Sequence, residues 1–396
     1  MTQTTGAETK EGLAPAQVAK KDESAPRGLE AVVAAETTLG AVDGTAGTLH
    51  LVGYNIDDLV TKATFEDVLY LLLHGELPTS DERAALSAEL AAAQGDRAAL
   101  DLIQSLPPGG APIDALRTAV SALGQLDPTV EDESMENTRR IGVRLAALMA
   151  VAFASNERRS RGQEPLAPRP KLGHAANILY MLHGAAPSGT AVRALDAYLI
   201  LLAEHSLNAS TFAARVATGT GADAYAAITA AISTLKGNAH GGANRRAMEM
   251  LDEIGSPENV DSWVGALIGT KRRLMGFGHR IYKTRDPRAK HLQALAHALS
   301  NETGRGQTYA TALRVEEVAS ENPYFSERKL YPNVEFYTAP LLDALGFRPE
   351  LMPAAFAVSR VAGWTGHILE QRADNRLIRP AARYTGPAPR PYPATR

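Results

Sequence analysis

The chain has 396 residues, is 45% hydrophobic and 21% charged, carries a formal net charge of −3 and contains no cysteine. This excludes disulfides, thiolate metal sites and a cysteine nucleophile, and it argues against the broad basic surface that nucleic acid or an anionic membrane requires. The length suits two domains, or one large domain with a substantial insertion. The apolar run LAALMAVAFA, Leu145 to Ala154, is far too short to span a bilayer. The N-terminus lacks the basic-then-apolar order of a signal peptide, so a cytoplasmic location is expected.

In chain order, residues 1–26 are polar, small and without periodicity, and read as a disordered leader. Between Glu36 and Tyr54 two short β-prone runs flank DGTAG, which predicts a small hairpin. From there the pattern is helical. One helix ends near His74-Gly75, and Ser80 reads as the cap of the next, with Asp81 and Glu82 in its first turn. Apolar periodicity predicts further helices at 111–124, 134–156, 171–183, 189–217, 222–236, 242–254, 258–275, 287–303, 308–321, 336–345 and 351–372. Gly and Pro mark the joins, as in LPPGGAP and GQEPLAPRP, and the Pro-rich end TGPAPRPYPATR predicts extended chain. No repeat period is present, which excludes a solenoid. The expected fold is all-α and multi-helical, with a small N-terminal β-hairpin.

Four stretches carry polar residues that such a helical chain does not need for packing. In KGNAHGGANRR, Lys236 to Arg246, three glycines surround His240 just before a helix resumes. A lone histidine there also reads as one satisfied by local hydrogen bonds. A helix N-terminus, however, disfavours a positive ring, and a neutral imidazole can donate to a carbonyl oxygen that turns anionic. Arg245 and Arg246 either face water or help to keep His240 uncharged.

In KRRLMGFGHRIYKTRDPRAK, Lys271 to Lys290, eight basic residues meet one acid, Asp286, with His279 beside two glycines. This reads as a local anion site or as a solvated basic face. Asp286-Pro287-Arg288 resembles a capped helix start that would aim Arg288 at a carboxylate. In LYPNVEFYTAPLLDALGF, Glu335 is either a first-turn acid favoured by the helix dipole or, between aromatic walls, a base of raised pKa. Finally, His205, Asn208, Phe212 and Arg215 fall at helical spacing, as do Arg360, Trp364, His367 and Gln371. A buried Arg360 needs a partner, either in the core or in an anionic ligand.

KGNAHGGAN, MGFGHRIYKTRDPR, LYPNVEFYT, EHSLNAST and LIRP occur in the order and spacing of citrate synthases, and the chain resembles the short bacterial type of that family from Gly28 to about Tyr384. The family includes 2-methylcitrate synthases, which use propionyl-CoA. The resemblance implies a large helical domain, residues 27–223 and 331–390, and a small one, 224–330, that closes over the substrates. His240 would hydrogen-bond the thioester oxygen of acetyl-CoA, Glu335 would take the methyl proton, and His279 would hydrogen-bond the oxaloacetate carbonyl. His205, Arg288 and Arg360 would hold oxaloacetate, with Arg379 reaching in from the other subunit of a homodimer. Met275, Gly276, Phe277, Gly278 and Lys283 would meet coenzyme A. Acetyl-CoA would be a co-substrate, with no permanently bound cofactor and no metal.

The chemistry agrees with these roles. A thioester α-proton is far less acidic than a carboxyl group, so deprotonation requires that the enolate oxygen be stabilised where it forms; one such donor is worth about 3–4 kcal/mol. Two residues depart from the family: Glu335 stands where aspartate is usual, and Asn238 where proline is usual. A displacement near 1 Å can cost ~10²-fold in rate. Two rival readings follow: a methylcitrate or longer-acyl synthase, and a paralogue that binds CoA or a dicarboxylate with little or no catalysis.

Overall fold

Residues 48–51 alternate: Leu49 and Leu51 are fully buried while Thr48 and His50 are partly exposed, the period of a strand with one face on the core. In the computed structural model, which describes residues 26–30 and 32–392, this strand, β2 (Thr48–Leu51), pairs antiparallel with β1 (Gly40–Asp43) and β3 (Tyr54–Asn55). The register sets Gly40 opposite Leu51 and His50 opposite Asn55. Asp43 Oδ1 accepts from the backbone N–H groups of Thr45 and Ala46, both at 2.8 Å, which closes the first turn. The predicted hairpin is therefore a three-stranded meander. The expected leader lies outside the described residues apart from Pro26.

Seventeen α-helices are found among the described residues. The first five are α1 (Ile56–Lys62), α2 (Phe65–His74), α3 (Ser80–Gln94), α4 (Arg97–Ser105) and α5 (Pro112–Gly124). Then come α6 (Met135–Ser160), α7 (His174–His183), α8 (Gly189–Leu202), α9 (Ala209–Gly219), α10 (Ala224–Leu235) and α11 (Gly242–Ile254). The rest are α12 (Val260–Thr270), α13 (Ala289–Thr303), α14 (Gly306–Glu321), α15 (Pro323–Ser326), α16 (Val334–Ala344) and α17 (Met352–Ala373). None is long and apolar enough to cross a membrane.

Several boundaries differ from the sequence expectation for local reasons. Thr79, not Ser80, caps α3, through a capping box with Glu82. α4, too short to stand out by periodicity, is started by the side chain of Asp96. The expected helix 189–217 is two helices. The chain leaves α8 after Leu202, passes through Ser206 at φ 51°, and restarts where Asn208 Oδ1 accepts from the N–H groups of Ser210 and Thr211. The Asn cap and the left-handed serine turn the chain, and they lift His205 off any helix. The expected helix 258–275 ends at Lys271, itself left-handed at φ 54°, so residues 271–288 form a long connection.

α17 is buried along nearly its whole length and packs against α6, α9, α2, α10 and α8. Each fully buried Val358, Val361 or Ile368 contributes about 1.5–3 kcal/mol relative to exposure. The helix also carries Ser359, Arg360, Thr365 and His367 into the core, and buried polar groups must be answered. α16 packs against α13, α11 and α14.

The contacts divide the chain into a unit of Thr37–Ile378, which holds all the helices above, and a unit of the two chain ends, Met1–Glu36 and Arg379–Arg396. In the second unit Arg27–Leu29 form a single 3-10 turn, and residues 379–392 form neither helix nor strand, with Tyr384 Oη donating to the Pro387 carbonyl at 3.0 Å.

Candidate active site

The break between α8 and α9 faces α17 and supplies one wall. Arg360, 2% exposed, donates from Nε to the Leu202 carbonyl at 2.5 Å and lies over the Phe356 ring, 4.7 Å from its centre. Burial pulls its guanidinium down to about 10, opposed by the Glu204 carboxylate. Glu204 is itself fully buried and accepts from His367 Nε2 at 3.1 Å, while His367 Nδ1 lies 3.1 Å from Arg215 Nη1. Arg215 also meets Glu370 at 3.0 Å and Gln371 at 3.0 Å. The polar stripe on α17 is therefore a single face, as expected, but His205, Asn208, Phe212 and Arg215 are not: His205 sits in the link and Asn208 caps α9.

His240 lies 6.5 Å from the Phe356 ring, centre to centre. Its Nε2 accepts from the backbone N–H of Ser210 at 3.3 Å and meets Ser210 Oγ at 2.8 Å, so the ring proton is placed on Nδ1. Ser210 Oγ is fixed in turn by Trp364 Nε1 at 3.1 Å and Asn208 Oδ1 at 2.8 Å. Burial, with the Arg360 charge behind it, pushes His240 down to about 4. Both causes favour the neutral ring. The surrounding glycines act mainly on the fold: a Cβ on Gly241 would lie 2.5 Å from the Leu235 carbonyl, whereas Gly242 has only ordinary contacts. Arg245 pairs with Glu249 at 2.7 Å and Arg246 bonds the Asn238 carbonyl, so each has a partner on its own helix or the adjoining turn.

The second wall is the 275–288 connection. Gly276 (φ 76°) and Gly278 (φ 80°) adopt the left-handed conformation, and a Cβ on Gly276 would lie 2.7 Å from Phe336 Cβ. This close approach lets the connection pair with the lead-in to α16: Asn333 N donates to the Gly276 carbonyl at 2.9 Å and Gly278 N to Tyr331 at 2.8 Å. His279 Nδ1 accepts from the N–H groups of Ile281 and Tyr282, both at 3.1 Å, which leaves its proton on Nε2. Burial and then Arg288 push His279 down to about 4. His205, 5.5 Å away ring to ring, is held well below the usual imidazole range by burial, Arg288, His279 and Arg360.

Arg288 is 2% exposed and forms the bidentate contact anticipated for it, but with Asp286: Nε to Oδ1 at 3.0 Å and Nη2 to Oδ2 at 2.8 Å. Burial works against the guanidinium, yet Asp286 outweighs it and keeps Arg288 above its ordinary value. Asp286 Oδ1 also accepts from Arg288 N at 3.0 Å, although α13 starts only at Ala289. Glu335 occupies the first turn of α16, with its N–H on Asn333 Oδ1 at 3.1 Å. Burial raises its carboxyl above the usual range, against the pull of Arg288 and Arg360. Here desolvation outweighs the helix dipole.

Met275 and Phe277 are partly exposed, Gly276 is buried, and Phe277 packs on Phe336 at 4.8 Å. Lys283 is exposed, its Nζ 3.1 Å from the Arg280 carbonyl. Arg379 is exposed and belongs to the unit of the chain ends. Among the described residues there is no His, Cys, Asp and Glu group suited to a metal ion. A cavity of about 900 Å³ lies elsewhere, lined by Tyr70, His74, Arg140 and Arg144. Its arginines are engaged: Arg140 pairs with Asp127, Arg144 pairs with Asp96, and Arg139 donates to the Leu73 carbonyl at 2.9 Å.

Sequence reasoning missed Ser210, Glu204 and Tyr282, whose Oη lies 3.3 Å from His205 Nε2. Serine, glutamate and tyrosine in helical patterns carry no signal of their own; what marks them is sequence proximity to Asn208, His205 and His279.

The Thr37–Ile378 unit thus assembles a raised carboxyl, two neutral imidazoles with assigned protons and two buried guanidiniums. Such a set is chemically suited to taking a proton and stabilising an oxyanion beside an anionic group. Residues 28–381 match the family model described as citrate synthase, C-terminal domain. Citrate synthase 2 of Bacillus subtilis is 45% identical over 366 residues, 92% of this chain and 96% of that protein. A 2-methylcitrate synthase of Mycobacterium tuberculosis is 40% identical, over 93% of this chain and 92% of that one. The citrate synthase of Thermoplasma acidophilum, solved as a ternary complex with carboxymethyl coenzyme A and oxaloacetate, superposes with a TM-score of 0.88 at 33% identity, covering 93% and 98% of the two chains. The chain belongs to the citrate synthase family, and it is an acyltransferase of that class.

Proposed function

We propose that the protein condenses acetyl-CoA with oxaloacetate and hydrolyses the resulting citryl-CoA to citrate and CoA. The observation that carries this is the pairing of a carboxyl of raised pKa, Glu335, with a neutral His240 whose Nδ1–H is its free donor. Glu335 takes a proton from the thioester methyl group, and the enolate oxygen is met by His240. A neutral donor suits this step, because it stabilises the developing charge without first protonating Glu335. His279, with its proton on Nε2, polarises the oxaloacetate ketone while the enolate carbon attacks it. The new alkoxide is protonated, and water then cleaves the thioester. Arg360, Arg288 and His205 hold oxaloacetate. Arg288 offers Nη1, since its other two nitrogens are on Asp286.

The left-handed glycines and the partly exposed Met275, Phe277 and Gly278, with Lys283, form the coenzyme A contact in this reading. Residues 224–330 act as a small lobe that closes on the remainder, with α16 seated against α11, α13 and α14. The protein works as a cytoplasmic homodimer in which Arg379 completes the partner's oxaloacetate site. Its exposure in one chain is in keeping with that role.

Thiol release from acetyl-, propionyl- and butyryl-CoA with oxaloacetate tests the proposal. The expected order of kcat/KM is acetyl above propionyl above butyryl. A propionyl preference would give the reading of the 40%-identical relative instead. Absence of thiol release with every acyl chain would leave only binding.

A further inference from the structure

Four tyrosines, Tyr198, Tyr225, Tyr282 and Tyr337, are buried among the described residues. Three have a partner: Tyr225 donates to Asp127 at 2.7 Å, Tyr337 to Glu316, and Tyr282 meets His205. The hydroxyl of Tyr198, which is 0% exposed, has no hydrogen-bond partner among the described residues. An unmade hydrogen bond in the interior is a cost, and a native fold that retains one invites the question of what the group is kept for.

The location of Tyr198 answers it. α8 is bonded to α17 here, Ser359 Oγ to the Leu199 carbonyl at 2.6 Å and Arg360 Nε to the Leu202 carbonyl at 2.5 Å. Tyr198 lies one helical turn before Leu202, in the stretch of α8 that packs on α17. The charged groups that act on it are Arg360 and Glu335, one from each wall of the site. A neutral O–H in that position, with no protein acceptor, matches a carboxylate brought in by the substrate and held by Arg360.

We propose that Tyr198 is a further ligand of the dicarboxylate substrate, its hydroxyl donating to the carboxylate that Arg360 binds. The proposal rests on the reading of this site as the oxaloacetate site. The guanidinium supplies charge, and the phenol supplies a directional donor on an aromatic body that cannot swing away. This adds a hydrogen bond to a charged acceptor that forms only in the complex, so the substrate recovers what the free enzyme forgoes.

The test is Tyr198→Phe, which removes one oxygen and no volume the core needs. Oxaloacetate affinity is measured by calorimetry and the melting temperature is measured without ligand. The expected result is a Kd raised about tenfold or more with a melting temperature no lower than wild type, because the hydroxyl lost was unpaired in the free enzyme. An unchanged Kd overturns the proposal. So does a lower melting temperature, which would mean that the hydroxyl already has a partner. If the wild-type protein itself fails to bind oxaloacetate, it is the reading of the site that falls.

Discussion

On the wall made by α17 and residues 203–208, each charged group is deeply buried and answered by a residue far away in sequence. Arg360 meets the end of α8, and Glu204 meets His367, which meets Arg215. On the wall made by residues 275–288 and the start of α16, the contacts are mostly between backbone groups, some across the chain and some local. Asn333 pairs with Gly276, Gly278 with Tyr331, and His279 accepts from the two N–H groups just beyond it. The first wall is part of the core and inherits its rigidity. The second is a loop that pairs with the lead-in to α16, and its geometry depends on two left-handed glycines. Arg360 therefore belongs to the core, whereas His279, Arg288 and Glu335 lie on a wall built from a long connection and a helix start. His240 bridges the two, since its loop leads into α11 while its ring is tied to Ser210 and packed on Phe356.

The largest expected effect falls on the second wall. Glu335→Gln removes the base and leaves the fold intact; kcat should drop by about 10³-fold or more while oxaloacetate binding changes little. Steady-state kinetics alongside calorimetry would show it, and comparable losses in kcat and affinity would mean that Glu335 is part of the grip. Glu335→Asp is the complementary variant: if this backbone has adjusted to the longer side chain, the change should lower kcat rather than raise it.

A pair of glycine substitutions sharpens the contrast between the walls. A Cβ on Gly363 would lie 2.4 Å from both the Ala203 carbonyl and Glu204 Oε2, inside the core wall. Gly363→Ala should therefore destabilise the protein by about 1–3 kcal/mol and weaken oxaloacetate binding. Gly276→Ala meets both a positive φ and Phe336, and by shifting the lead-in to Glu335 it should cost turnover about 10²-fold. Denaturant unfolding and kinetics on both variants check this. Equal kinetic losses would remove the distinction.

The smallest effect is the pH dependence of stability. His240 and His279 are both pushed down to about 4, below the ~6.5 of a free imidazole. Between those values the unfolded chain takes up protons that the folded site refuses. The stability these rings contribute is thus complete above about pH 6.5 and is lost as pH falls towards 4. Glu335 has the opposite sign: its raised pKa favours the folded state at low pH, and that contribution is lost as pH rises through the raised value. Melting curves from pH 7 to 4.5 on wild type and His279→Asn should show a shallower decline in the variant. Parallel declines would contradict the assignment.

The helical architecture was legible because apolar periodicity survives in long helices such as α6 and α17, and the site was legible because its glycines and histidines sit in patterns that packing does not explain. The break at 203–208 was not. Ala203 to Asn208 keeps helical spacing on both sides, and the chain is turned by a left-handed Ser206 and the Asn208 cap, with the Ala203 carbonyl accepting from Gly363 on α17. Arg288 shows the same limit. Its bidentate contact was foreseen from its setting, but Asp286, two residues away, is the carboxylate it meets. Ser210 and Tyr198 sit on apolar helices and Glu204 in the break between two, and nothing local distinguishes a buried polar residue that holds a site ring from one that holds a helix.

The central claim is that a neutral His240, with its proton on Nδ1, stabilises the enolate that Glu335 generates. Replacing His240 with alanine and following thiol release from acetyl-CoA in the presence of oxaloacetate tests it directly. Loss of one such donor should lower kcat by about 10²–10³-fold while the variant still binds oxaloacetate. Condensation at the wild-type rate would contradict the account.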